Sequence, residues 1–147
     1  MEELFELRTA IEQQRYADAL VLLGEMEEMS KEDKLHKIRS FVVILLIHLI
    51  KQAAEQRTTR SWECSIQNAV EEIQYINKCR KANSHYLLEN ELSEVISNAY
   101  PTAMRRAALE AFEGQYTTEQ LAQKVKRLAI ETKALELIKM ENNTSSI

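Results

Sequence analysis

Residues that break or turn a chain are scarce in this sequence, which holds two glycines and one proline in 147 residues. A glycine-rich loop that cradles phosphate is therefore excluded, and no Gly-x-Ser-x-Gly elbow for a nucleophilic serine occurs. Aromatics are only 6% of the chain and no Asn-Gly or Asp-Gly turn exists, which argues against a sheet of any size. Two cysteines cannot make a disulfide framework, so a reducing cytoplasm is the expected home. The histidines, His36, His48 and His85, sit at no spacing that joins them to another His, Cys or carboxylate as metal ligands; neither a metal nor a cofactor is expected. Long hydrophobic runs are missing as well. The most apolar stretch, Phe41 to Ile50, is interrupted by His48 and is about half the length of a membrane span, so it reads as a core helix with no membrane partner.

What remains is a vocabulary of Glu, Leu, Ala, Lys and Gln, the residues that lose least on entering a helix. The expected fold is all-α, a single-domain bundle of about six or seven helices over residues 1–141, with a disordered tail at 142–147. Charge is unevenly spread. Residues 1–33 hold three basic and ten acidic side chains, a net of −7, and the remainder hold 16 and 13, a net of +3. An acidic arm thus precedes a weakly basic body, either to meet a partner or simply as solvated helix faces.

Apolar spacing divides the chain further. Leu4, Leu7 and Ile11, then Ala19, Leu20, Leu23 and Met26, predict an acidic helical hairpin over 1–29. Ser30 followed by Asp33 predicts the start of a third helix running to about Gln56, with Leu35, Ile38, Val42, Leu45, Leu46 and Leu49 facing inward. Trp62, Ile66, Ala69, Ile73 and Ile76 mark a fourth helix from about Ser61 to Ala82, on which Cys64 and Cys79 would lie about 22 Å apart and unbridged. A fifth is expected over Tyr86 to Ala99. Pro101 then either opens a sixth helix or kinks a continuous one, and Gly114 ends that segment. Thr117 with Gln120 forms a capping box for a last helix over 117–141 carrying Leu121, Val125, Leu128 and Leu135.

His48, Gln52 and Glu55 share one helix face and could orient an acid/base histidine, although a histidine in an apolar helix is more often structural. Arg57 and Arg60, with Lys78, Arg80 and Lys81, could meet phosphates, but a helix of some 30 Å separates the two groups. Trp62 heads a stripe and is expected to anchor the core.

A wider resemblance rests on His48-Leu49-Ile50-Lys51, on Arg60-Ser61-Trp62 with Ser65-Ile66 and Ile73, and on Ala99-Tyr100 with Ala103 and Ala107. In these residues, between about Leu35 and Phe112, the chain resembles the bacterial domain-of-unknown-function family twenty-nine, especially its cyanobacterial members. The resemblance implies an all-helical core over 30–113 and a bacterial source, and it carries no catalytic residues. From the residues alone, the expected function is a non-catalytic protein-interaction or oligomerisation module, a homodimer with an unknown protein partner. Its expected interface is Leu121, Val125, Leu128 and Leu135. The competing reading is nucleic-acid binding, and a third is an enzyme centred on His48. Binding candidates are His48, Lys51, Arg57, Arg60 and Trp62.

Overall fold

A computed structural model describes residues 2–79, 84–85 and 87–140. The protein is all-α. Its helices are α1 (Glu2–Glu12), α2 (Tyr16–Glu55), α3 (Arg60–Asn77), α4 (Glu89–Glu110), α5 (Thr118–Ala122) and α6 (Arg127–Lys139). A two-residue antiparallel ladder, β1 (Lys78–Cys79) with β2 (Ser84–His85), follows α3. The chain divides into two compact units, Met1–His36 and Lys37–Ile147. The 142–147 tail lies outside the described residues.

In the first unit, α1 ends in a Schellman motif. The Arg15 N–H donates to Ala10 C=O (2.8 Å), the Gln14 N–H donates to Ile11 C=O (3.0 Å), and Gln14 takes the left-handed conformation at φ 61°. A three-residue break separates α1 from α2, where the spacing placed one. Ala10 and Ala19, on either side of this turn, are buried.

The helix start expected at Ser30 does not occur, because α2 continues through it for 40 residues. A capping side chain acts only where the chain enters extended. Here neither proline nor a turn interrupts the hydrogen-bond ladder, and Lys31 reaches back to Glu28 at 3.5 Å. Gly24 has nothing within 4 Å of where a Cβ would stand, so it costs α2 only helix propensity, about 1 kcal/mol.

The core of the second unit is built on the apolar middle of α2. Ile38, Val42, Leu45, Leu46 and Ile50 are fully buried and Leu49 nearly so, whereas Leu35, expected inside, is exposed. On α3 the stripe holds: Trp62, Ala69 and Ile73 are buried, and Ile66 and Ile76 pack partly against the core. Thr59 caps this helix, its hydroxyl accepting from the Trp62 N–H at 3.1 Å. The helix ends at Asn77, five residues before the expected Ala82, because Lys78 turns extended to pair with His85. Asn77 is buried and its amide replaces the lost backbone bonds, donating to Leu87 C=O (3.2 Å) and accepting from the Leu87 N–H (2.6 Å). Cys79 therefore lies past the helix on which it was placed, and Cys64 is an exposed free thiol.

Pro101 interrupts nothing, since α4 runs through it from Glu89. The helix stops at Glu110, ahead of the expected end. Phe112 (φ 51°), Glu113 (φ 57°) and Gly114 (φ 76°) then follow in the left-handed region. Only the last is a residue that adopts it freely.

Thr117 and Gln120 form the expected capping box, with reciprocal bonds of 3.2 and 2.9 Å. The single last helix, however, is two helices separated at Gln123–Lys126. The reason is angular. Leu121 and Ile130 are nine residues apart, which on one straight helix places them on opposite sides. The break turns both into the core, where Leu121 is fully buried and Ile130, Ala134 and Ile138 form the buried stripe of α6.

Candidate functional site

The C-terminal part of α2, the loop into α3 and the end of α4 converge on one polar cluster. Lys51 lies one turn beyond His48 on α2 and is 6% exposed, exceptional for an ammonium. Its Nζ donates to Glu110 Oε1 at 3.1 Å and lies 4.7 Å from the centroid of the Trp62 ring. The Arg57 guanidinium is 4.6 Å from the same centroid, and its Nε donates to Glu55 Oε1 at 3.0 Å. Trp62 thus offers its electron-rich face to two cations, an arrangement stabilising by about 0.5–2 kcal/mol per contact according to desolvation.

Glu55 has a second task. Its Oε2 accepts the Phe112 N–H at 3.3 Å, fastening α2 to the first residue of the left-handed turn. The same turn makes ring contacts: Phe112 packs edge-on against Tyr116 at 5.1 Å, and Lys124 Nζ lies 4.4 Å from the Tyr116 ring. Gln52 donates to Thr58 Oγ1 at 2.8 Å and steadies the loop before Thr59.

The structure therefore brings Lys51, Arg57 and Trp62 together, with His48 close enough to feel Lys51 and Glu110. Arg60 is exposed at the first turn of α3 and makes no hydrogen bond, ion pair or ring contact with the cluster's described residues. The expected relay of His48, Gln52 and Glu55 is not assembled, because Gln52 and Glu55 are committed to Thr58, Arg57 and Phe112. His48 Nδ1 is buried with no hydrogen-bond partner among the described residues. Its pKa is held below the ordinary 6.5, first by burial and then by the Lys51 charge, against a smaller opposing pull from Glu110.

That shift has a measurable sign. In the window from pH 6.5 down to the lowered folded value, the unfolded chain binds the proton that folded His48 refuses. Stability contributed by neutral His48 is present above pH 6.5 and falls as the pH drops through this window. Denaturant titrations between pH 7.5 and 5 should show the decline, and His48→Gln should flatten it; an unchanged slope would place the proton elsewhere.

Two open cavities exist on the second unit. One, of about 400 Å³, has Leu49, Ile66, Val70 and Leu137 among its walls; the other, of about 420 Å³, has Tyr100, Met104, Arg105 and Val125. Neither is lined by His48, Lys51, Arg57, Arg60 or Trp62. Among the described residues no group of His, Cys, Asp and Glu could hold a metal ion. The polar cluster joins α2, α3 and α4 through Lys51, Trp62 and Glu110.

A second clamp escaped the sequence reading. Proline has no N–H, so Pro101 leaves the C=O of Ser97 without its helical donor. Arg127 supplies one from α6, its Nη2 donating to Ser97 C=O at 2.9 Å while the guanidinium lies 4.7 Å from the Tyr100 ring centroid. Burial raises the Tyr100 phenol to about 12, and its hydroxyl has no hydrogen-bond partner among the described residues. The signal was present: a proline inside a helical pattern implies an orphaned carbonyl four residues earlier. Which side chain would come to it was not.

The expected interface on the last helix is largely used up internally. Leu121 is fully buried, and Val125 and Leu135 pack partly against the core; only Leu128 is open, at 77% exposure. The cationic groups remain apart, with Arg57 engaged at the start of α3 and Lys78 exposed past its far end. Arg80 and Lys81 lie outside the described residues.

Fold and clamps define a class first: an all-helical protein whose polar clusters tie its helices together. The chain belongs to the family described as domain of unknown function DUF29, whose model matches residues 6–135. No curated protein and no solved structure matches it. Among the described residues no helix is long and apolar enough to cross a membrane.

Proposed function

We propose that the chain is a non-catalytic protein-interaction module that works by oligomerisation, in its simplest form as a homodimer. One observation carries this reading. Among its described residues the first unit exposes eight large apolar side chains, Leu4, Phe5 and Ile11 on α1 and five more from Tyr16 to Leu35 on α2, and buries Ala10 and Ala19. Apolar surface exposed in that amount is a mark of an interaction site. A hairpin so poor in buried side chains also gains little stability from its own packing. The exposed free thiol of Cys64 fits a reducing cytoplasm as the place of action.

Nucleic-acid binding through Arg57 and Arg60 has weaker support, since Arg57 is occupied by Trp62 and Glu55. Catalysis centred on His48 is weaker still, since neither cavity reaches that residue. Light scattering separates these readings. Leu20→Glu with Leu23→Glu should abolish association while leaving the helical signal intact, because both side chains are exposed in the folded chain. Arg57→Ala should associate as the parent does. Association that survives the double substitution would remove the first unit from the interface.

A further inference from the structure

The first unit is amphipathic as a hairpin and not merely helix by helix. Helices joined by so short a connection run antiparallel as a rule, and Ala10 and Ala19, buried on either side of it, fit that pairing of α1 with the start of α2. Leu4, Leu7 and Ile11 are displaced from the buried Ala10 by about a quarter turn, and Tyr16, Leu20 and Leu23 are displaced from Ala19 in the same rotational sense. In antiparallel helices equal senses lead to the same side, so the two stripes make one apolar face. Glu2, Glu6, Asp18 and Glu25 are displaced in the opposite sense, and all four are exposed. The net −7 of residues 1–33 is therefore carried mainly off the apolar face.

Resting on the interaction reading above, we infer that the occupant of this face is the same face of a second copy, two hairpins closing into a four-helix bundle about a two-fold axis. An isologous contact needs a patch that complements itself, and two adjacent apolar stripes with most of the acidic groups turned away satisfy that, Glu27 standing at the end of the α2 stripe one turn beyond Leu23. The six side chains leave on the order of 500 Å² of apolar surface open, most of the roughly 800 Å² per partner that a standard interface buries. Half-buried Leu7, displaced in the same sense as these stripes, becomes the centre of the bundle. Like charge on the two outer faces opposes the pairing, so screening strengthens it. That sign is opposite to the one phosphate contacts would give.

Sedimentation equilibrium on the intact chain at low and high salt tests this. The expected result is a dimer that tightens about threefold to tenfold between about 0.05 and about 0.5 M salt, as the screening length shrinks. Leu20→Glu with Leu23→Glu should be a monomer with unchanged circular dichroism, and Leu128→Glu, at an exposed position of α6, should remain a dimer. A dimer lost in Leu128→Glu and kept in the double variant overturns the proposal, as does an intact chain that stays monomeric at all concentrations. Binding of an apolar-surface dye then separates the two levels. A monomer that binds dye only when Leu20 and Leu23 are present removes oligomerisation and keeps the first unit as an interaction face for a different protein. Equal dye binding by parent and double variant removes both.

Discussion

Leu45→Asp is expected to unfold the protein or leave it insoluble. Leu45 is fully buried in the middle of α2, among Val42, Leu46 and Leu49 of its own helix and the residues that α3 and α4 bring to the same core. An unpartnered carboxylate there either stays charged, at a cost of several kcal/mol, or is neutralised and still leaves polar atoms without partners beside a lost isobutyl group. Stability for a domain of this size is about 5–15 kcal/mol, so one such term removes much or all of it. Circular dichroism and solubility of the purified variant give the answer. A soluble chain with full helical signal would show that Leu45 has a route to solvent, and the α2 core would have to be redrawn.

Trp62→Ala should cost about 3–5 kcal/mol, the range for deleting a large buried aromatic. Part of the loss is the cavity. The remainder is specific to this site, because Lys51 and Arg57 both lose the ring face they lie against, and Lys51 is too buried to recover full hydration. Trp62→Leu separates the two contributions: it restores apolar volume without an electron-rich face, so its deficit should be intermediate. Urea melts followed by circular dichroism measure both variants. A Trp62→Leu chain as stable as the parent would mean that the cations contribute nothing and that Trp62 serves only as filling. The same reasoning gives Glu55 a role beyond its ion pair, since the left-handed turn after α4 includes two non-glycine residues at about 1–2 kcal/mol each and is held to α2 by that carboxylate.

Helix content, the buried face of α2 from Ile38 onward, the α3 stripe under Trp62 and the cap at Thr117 were all legible in the sequence. Each depends on spacing within one element, with i, i+3 and i+4 neighbours or a side chain reaching its own first turn. The binding candidates were legible only as residue types. Lys51, Arg57 and Trp62 stand within eleven positions of each other, yet their grouping depends on how the α2–α3 loop turns and on Glu110 arriving from the end of α4.

Tertiary structure decided where the later helices stop, whereas α1 ends on a turn of its own backbone. Ser30 and Asp33 carry a start signal that no chain reversal called into use, and Pro101 carries a stop signal that Arg127, from another helix, made harmless. The apolar pattern from Leu121 to Leu135 fits one straight helix as well as two. The requirement that Leu121 and Ile130 both be buried selects two. Local energies at a helix end are about 1 kcal/mol, whereas burying a leucine or isoleucine contributes about 1.5–3 kcal/mol. Where the two conflict, the core determines the boundary, and the core is built from residues that the local sequence does not contain.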